Sequence, residues 1–396
     1  MTKATRLRGR RTLAVATAAA AVAAVVGLAV PAVAAQAPAG QARLLGAGQT
    51  GTRAAVPWSK VGPAWAVVMF SASQGGMGVK PKAGKATLYL VDPQGGKYSL
   101  ITWPAGSAQS QWQLRDWSGD TRRALFTSGG FGTRQQVHQV QLRTGRVSTF
   151  TLPVGVEAVG YTRPDGLNVL AAKGNLYGSG PLQRYSLTGR LQATLGKVYD
   201  VSQVAYQSGG AALAGSEANG LALISNRGGI IRRLPVPGVK YGCEPVRWWT
   251  ANSILASCLV PSAPGPQLWL VPASGARPKA LTPARVHPTF DVGDFNAWQL
   301  SSGLYLDGYG PCGTLVIGKQ PARGPEQQVT VPGAVSPRIV TATSSSLMVE
   351  RINGCSAGVS LVWYNPATGK MTVVLATHRN EVGVAGIEPY FVSGKY

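Results

Sequence analysis

The sequence predicts an all-β chain, a seven-bladed β-propeller behind an export leader. Three observations predict it. A strand, Gly turn and strand unit recurs seven times. Successive turns lie roughly 40 to 50 residues apart, the period of a four-stranded blade. No amphipathic helix follows the leader.

The leader comes first. Thr2 to Arg11 carry Lys3, Arg6, Arg8, Arg10 and Arg11 and no acid. Leu13 to Val30 form an apolar run, and Ala32-Val33-Ala34-Ala35 follows. Basic, apolar and small-residue segments in that order read as a secretory signal peptide over 1–35. Arg10-Arg11 leaves a twin-arginine signal as one variant, and the near-span length of the apolar run leaves an uncleaved anchor as the other, with the small-residue ending favouring cleavage. Residues 36–57, rich in Gly, Ala, Gln and Thr without apolar periodicity, read as a flexible tether. The domain is expected over 58–396. That length exceeds one ordinary core and calls for two domains or a repeat array. No later segment is apolar enough to span a membrane, so no transmembrane anchor is expected after cleavage. The location expected is secreted or extracytoplasmic, in the cell envelope. Composition resembles that of a GC-rich bacterium.

The seven units include Leu88-Tyr-Leu-Val-Asp-Pro-Gln-Gly-Gly-Lys97, Val140-Gln-Leu-Arg-Thr-Gly-Arg146, Arg184-Tyr-Ser-Leu-Thr-Gly-Arg190 and Val362-Trp-Tyr-Asn-Pro-Ala-Thr-Gly-Lys370. The others lie at 222–229, 268–277 and 315–321. All but the sixth place Gly at or beside the apex, where hairpin turns need positive φ. The strands after the turns are expected at 98–103, 147–152, 191–195, 230–234, 279–281, 327–331 and 371–375. Ahead of each unit an apolar strand ends in an aromatic residue, such as Trp117, Tyr161, Tyr206, Trp249 and Trp298, expected to pack between blades. Blade one lacks a good first strand, so a strand within 382–390 is expected to pair with 64–70 or its neighbour and close the ring.

Four Cys in an exported chain imply disulfides. Cys243 precedes the first strand of blade five and Cys258 ends its second, which places both on one rim. Cys312 and Cys355 occupy corresponding loops of blades six and seven. The pairs expected are Cys243–Cys258 and Cys312–Cys355.

The formal charge is +23, from 38 basic and 15 acidic residues. Charged residues make up only 13%, so the excess reflects scarce acids. The hairpin turns between third and fourth strands share one face of a propeller. They carry Lys97, Arg143, Arg146, Arg190, Arg227, Arg277, Lys319, Arg323 and Lys370, against Asp92 and Glu326. Lys97, Arg146, Arg190, Arg277 and Lys370 are the candidate contacts to an anionic partner, since a ring of one sign sums into a long-range field. The alternative is that these charges solubilise exposed turns. The opposite face should carry the long loops at 71–85, 128–134, 173–181, 259–266, 307–313 and 351–358, where binding commonly resides.

Signals for catalysis are sparse. His138, His287 and His378 stand in no metal-ligand spacing, and no metal or cofactor is expected. No nucleophile elbow, calcium loop or sialidase-type Asp box occurs. Asp291 with Asp294, and Asp116 with Asp120, are the carboxylate pairs that could serve glycoside chemistry. Basic patches interleaved with aromatics are absent, so nucleic acid is not an expected partner.

Arg163-Pro164-Asp165-Gly166, and more loosely Trp117-Ser118-Gly119-Asp120, resemble the aromatic-Ser-Pro-Asp-Gly turn of TolB-like and WD40-like propellers. The other blades depart from it. The resemblance implies a propeller with a binding role and no reaction. The function expected is an exported binding or scaffold protein whose partner is a protein or an anionic envelope polymer. The alternative is a propeller enzyme, a lyase or glycan-active, using rim carboxylates. Oligomeric state and ligand are not indicated.

Overall fold

The structure is a computed structural model. It describes residues 44–376 and 381–389 apart from 77–78, 83, 130–132, 175–178, 200–202, 208, 288–289 and 353–358; for 72–76, 79–82, 312 and 381–389 it describes the backbone alone.

Seven sheets, antiparallel apart from one short edge strand on the first, follow one another as the seven blades of a propeller. From the inner to the outer strand, blade two runs Gln113–Trp117, Arg123–Ser128, Gln136–Gln141 and Val147–Thr151. Blade three runs Val156–Tyr161, Asn168–Lys173, Gly180–Ser186 and Leu191–Val198. Blade four runs Val204–Tyr206, Ala212–Glu217, Gly220–Ser225 and Ile230–Pro235. Blade five runs Cys243–Thr250, Ser253–Leu259, Pro266–Pro272 and Lys279–Ala280. Blade six runs Gly293–Leu300, Gly303–Tyr309, Leu315–Gln320 and Gln327–Gln328. Blade seven runs Ser336–Ala342, Leu347–Ile352, Val359–Tyr364 and Met371–Leu375.

Blade one is assembled from both ends of the domain. Ala66–Gly76, Ala86–Val91 and Lys97–Trp103 supply its outer three strands, and Glu381–Pro389 its innermost. Ala66 pairs with Pro389, and the antiparallel register runs on to Gln74 with Glu381. The expected ring closure is therefore met, and blade one presents no unpaired inner edge. Residues 44–57, assigned to the tether on composition, lie against the outside of this blade. Thr50–Thr52 pairs in parallel with Lys97–Ser99, and the Leu45 amide donates to the Tyr98 hydroxyl at 3.2 Å. Composition shows the absence of periodicity there, but a three-residue edge strand is too short to produce one.

The middle strands are buried on both faces because each blade is sandwiched between two others. Val169, Leu170, Ala171 and Ala172 of blade three are all fully covered, as are Ala124, Leu125 and Phe126 of blade two. Strands buried on both faces read as apolar runs rather than alternation. The outer strands have one open face, and Val147, Leu191, Ile230 and Ile231 are exposed there. Gly189 and Gly369, at apices of the expected turns, have φ of 84° and 69°, a region that other residues enter only with strain.

The aromatics of the inner strands do pack between blades. Trp117, Tyr161 and Trp298 are 1% exposed. In blade five the buried ring is Trp248, whose indole donates to the Ala205 carbonyl of blade four at 3.0 Å. Trp249, the expected residue, is half-buried. The inner strand explains the difference. Its pairing slips between Pro245 and Arg247 and again between Trp248 and Thr250, and each bulge reverses which residues face inward. Comparable slips occur at Leu114/Asp116, Ala158/Gly160, Asp294/Asn296 and Ile339/Thr341.

These bulges free backbone amides that the preceding blade satisfies. The Tyr161 amide donates to Asp116 at 2.5 Å, the Ala158 amide to Gln135 at 2.7 Å and the Ile339 amide to Asp307 at 2.7 Å. Such an acceptor is tightly specified, because a buried amide left unpaired costs about 1–3 kcal/mol.

Candidate functional site

The chain order within each sheet fixes two rims. Turns joining third to outer strands, and inner to second strands, lie at one end of every blade, here the lower rim. Loops joining second to third strands, and the connectors between blades, lie at the other, the upper rim.

At the lower rim, Arg146, Arg190, Arg227, Arg277, Arg323 and Lys370 are exposed, one from each of blades two to seven. None of these six takes part in an ion pair among the described residues. The two acids near these turns face inward. Asp92 is fully buried, caps its own turn by accepting the Gln94 and Gly96 amides at 2.8 and 2.9 Å, and burial raises its pKa. Glu326 folds onto Arg285. The third-to-outer turns thus carry six exposed cations that form no ion pair among the described residues, while the exposed Asp165 lies on an inner-to-second turn of the same rim. Of the five candidate contacts, the structure places Arg146, Arg190, Arg277 and Lys370 in this ring. Lys97 is elsewhere: half-buried, it donates to the Val374 carbonyl of blade seven at 2.8 Å, and desolvation lowers its pKa. Arg227 and Arg323 complete the ring, and the same turn position already marks them in the sequence. Arg143 instead lies over the Trp58 ring at 5.2 Å, and Lys319 over Tyr305 at 5.8 Å.

The carboxylate pairs are engaged in structure. Arg163 grips Asp116 with both terminal nitrogens, at 2.6 and 3.0 Å, while the Tyr161 amide takes a further position on it. Asp120 accepts from the Ser118 hydroxyl at 2.6 Å, the Arg122 amide at 3.0 Å and Arg123 at 3.3 Å. Asp291 and Asp294 meet Glu326 with carboxylate oxygens within 4.8 Å of one another. Arg285, on the connector from blade five to blade six, bridges all three: Nε to Asp291 at 2.8 Å, Nη2 to Asp294 at 3.0 Å and Nη2 to Glu326. Burial pushes Asp294 up to about 6, against the opposing pull of Arg285. The donor set suits a hard cation in type, but the Arg285 guanidinium occupies the position between the carboxylates. Sequence spacing joins Asp291 to Asp294 and gives no sign of Arg285 or Glu326, which arrive from a connector and a different turn.

His138 lies under the Trp112 ring at 3.9 Å, with Ser128 Oγ 2.8 Å from Nε2 and Thr149 Oγ1 2.9 Å from Nδ1. Burial lowers its pKa to about 4, so the ring is neutral and tied into the blade. His287 is exposed. His378 lies outside the described residues.

The Cys243–Cys258 disulfide is present, with Cα atoms 4.1 Å apart on directly paired positions of adjacent strands. The expected Cys312–Cys355 bond falls outside the described residues.

The upper rim differs in character. Val154, Tyr199, Tyr241, Val286 and Val335 on the connectors, and Leu259 and Tyr309 at the ends of second strands, are all exposed. All three exposed tyrosines among the described residues are on this rim. Among those residues no helix is long and apolar enough to cross a membrane.

No family model matches the chain, and no curated protein does. Solved structures do. The chain resembles a prolyl endopeptidase at 14% identity and a TM-score of 0.50, over 78% of this chain and 49% of that one. TolB from Acinetobacter baumannii is similar at 13% identity and a TM-score of 0.41, over 80% of this chain and 66% of its own. The β-propeller domain of the Trilobed protease from Pyrococcus furiosus is similar at 8% and 0.49, over 79% and 95%. The chain thus spans about half the length of the endopeptidase and just under two thirds of TolB. At such identities the likeness reaches the fold alone: this chain is a seven-bladed β-propeller with TolB among its structural neighbours.

Proposed function

We propose that this chain is an exported binding protein that holds an anionic polymer of the bacterial envelope against its lower rim. The observation that carries the proposal is the ring of six exposed cations, one per blade from two to seven, with both neighbouring acids turned inward. Each exposed charge contributes little alone, but a ring of one sign builds a field of several kT and raises the local concentration of a polyanion. Export rests on the 1–35 leader, and the Cys243–Cys258 bond is consistent with an oxidising compartment. The TolB-like and WD40-like turn resemblance points the same way, to binding. The enzyme alternative is the weaker reading, because Asp116, Asp120, Asp291, Asp294 and Glu326 are all engaged by arginines.

The test is binding to isolated anionic wall polymer across a salt series. Affinity should fall steeply between low and physiological ionic strength. Replacing Arg146, Arg190 and Arg277 by Gln should weaken it at low salt and leave the melting temperature unchanged. Binding indifferent both to salt and to this triple change would overturn the proposal.

A further inference from the structure

The three carboxylates gathered on blade six are not balanced by the one guanidinium that meets them. The side chains of Asp291, Asp294 and Glu326 are 2%, 1% and 6% exposed, and that of Arg285 is 11% exposed. Three anions and one cation leave an excess of two negative charges away from water. Such an excess is costly unless a cation or a proton cancels it.

Arg285 uses one oxygen of each acid: Asp291 Oδ1, Asp294 Oδ2 and Glu326 Oε2. The second oxygens are left over. Asp294 Oδ1 is fully buried and has no hydrogen-bond partner. The Thr282 hydroxyl is near enough to favour the Asp294 anion, yet it makes no hydrogen bond to Oδ1. Asp291 Oδ2 and Glu326 Oε1 accept no hydrogen bond among the described residues.

Two glycines make room for this cluster. Asp291 and Glu326 lie over the second and third strands of blade six at Gly308 and Gly318. A Cβ on Gly308 would stand 3.3 Å from the Asp291 Cβ, and a Cβ on Gly318 would overlap the Glu326 carboxylate at Oε1. Gly318 is the residue that sets the sixth sequence repeat apart, standing early in the strand instead of at the turn. Its φ is not positive, so this glycine answers to space and not to backbone conformation.

The donors are hard oxygens. One from each acid lies within 4.8 Å of the others. That span suits an ion holding its ligands at about 2.3–2.6 Å, as calcium does, whereas magnesium at about 2.0–2.1 Å would need them drawn together. We propose that Asp291, Asp294 and Glu326 bind one calcium ion through their second oxygens, while Arg285 keeps the first. Two positive charges then cancel the excess of two negative ones. The ion ties the connector from blade five to the inner strand of blade six, and both to the turn that presents Arg323 on the lower rim. The site requires neither export nor the cation ring.

The experiment uses the full chain, stripped with a chelator, dialysed, and titrated near neutral pH with calcium chloride and with magnesium chloride in a calorimeter. One calcium per chain is expected, with a rise in the melting midpoint, because an ion that binds only the folded state stabilises it. Magnesium should bind about tenfold more weakly or worse. Asp294→Asn and Glu326→Gln should each weaken calcium binding about tenfold or more, since each removes a charged ligand. Gly318→Ala should also weaken it without altering any ligand, by displacing Glu326. If Asp294→Asn fails to fold, the other two variants carry the test. The proposal is overturned by equal affinity for magnesium, or by full calcium affinity in the folded variants. It is also overturned if calcium neither binds saturably nor moves the melting midpoint, which would mean that a proton on Asp294 balances the cluster in place of an ion.

Discussion

Replacing Asp307 by Asn should change how the stability of the propeller depends on pH. Asp307 lies on the second strand of blade six and is 1% exposed. Its carboxylate accepts the Ile339 amide of blade seven at 2.7 Å and the Trp298 indole at 3.4 Å. Burial pushes its pKa from 3.8 up to about 7, against the lowering effect of those donors and of Arg338 and Arg247. The folded protein therefore holds a proton that the unfolded chain releases. Below about pH 4 both states are protonated and the benefit is fully present. As pH rises from there through 7 it is lost, because the unfolded carboxyl ionises freely and the buried one resists. The difference between about 7 and 3.8 corresponds to roughly 4 kcal/mol across that window. An Asn keeps an acceptor for Ile339 and cannot ionise. It cannot accept from Trp298 with its amide nitrogen, which costs about 1 kcal/mol at every pH. The quantity to measure is thus the difference between wild type and Asp307→Asn in urea midpoints at pH 5, 6, 7 and 8. Subtraction matters because Asp294 adds a slope of the same sign as Asp307, while His138, lowered to about 4, loses stability as pH falls from 6.5. The variant should gain on the wild type from pH 5 to about 7 and level off towards pH 8. Parallel curves would refute the buried-proton argument.

Two further outcomes follow from the ring. Truncation after Thr377 removes the Glu381–Pro389 strand and should lower the thermal midpoint of the whole domain; a truncated chain that melts like the full one would show that the closure is dispensable. Replacing Cys243 and Cys258 by Ser should cost about 3 kcal/mol in the chain-entropy account, and a non-reducing peptide map should show Cys243 joined to Cys258 and Cys312 joined to Cys355. Recovery of Cys243 joined to Cys312 would reject that pairing.

The hairpins were legible because their signals are local. Alternation and a turn Gly act within ten residues, and the observed outer strands at Val147–Thr151 and Met371–Leu375 start at the expected residues. Closure by a C-terminal strand was legible from a deficit, since blade one lacked an inner strand. The inner-strand aromatics Trp117, Tyr161 and Trp298 were legible between blades, but the polar contacts there were not. Asp116, Gln135 and Asp307 find their amides 23 to 45 residues downstream, and the bulges that aim those amides carry no residue signature. The same bulges hid which of Trp248 and Trp249 faces inward. Arg285 could not be paired with Asp291, Asp294 and Glu326 because their meeting depends on the path of a connector, not on spacing. The cation ring was readable because every contributor occupies the same position of a repeat. Lys97 fails the rule since blade one adjoins blade seven, whose Val374 carbonyl captures it.

The pairing of Ala66 with Pro389 also sets an order of assembly. Blades two to seven each find all four strands within one continuous stretch and can form as that stretch becomes available. Blade one must hold its second strand waiting until nearly the whole domain has followed. Contacts of such long sequence separation are entropically slow to make, so the ring remains an open chain of six finished sheets until the end. During that interval the edge of Ala66–Gly76 is the surface most prone to capture by another strand, and a chaperone or a second copy of this chain would find it there.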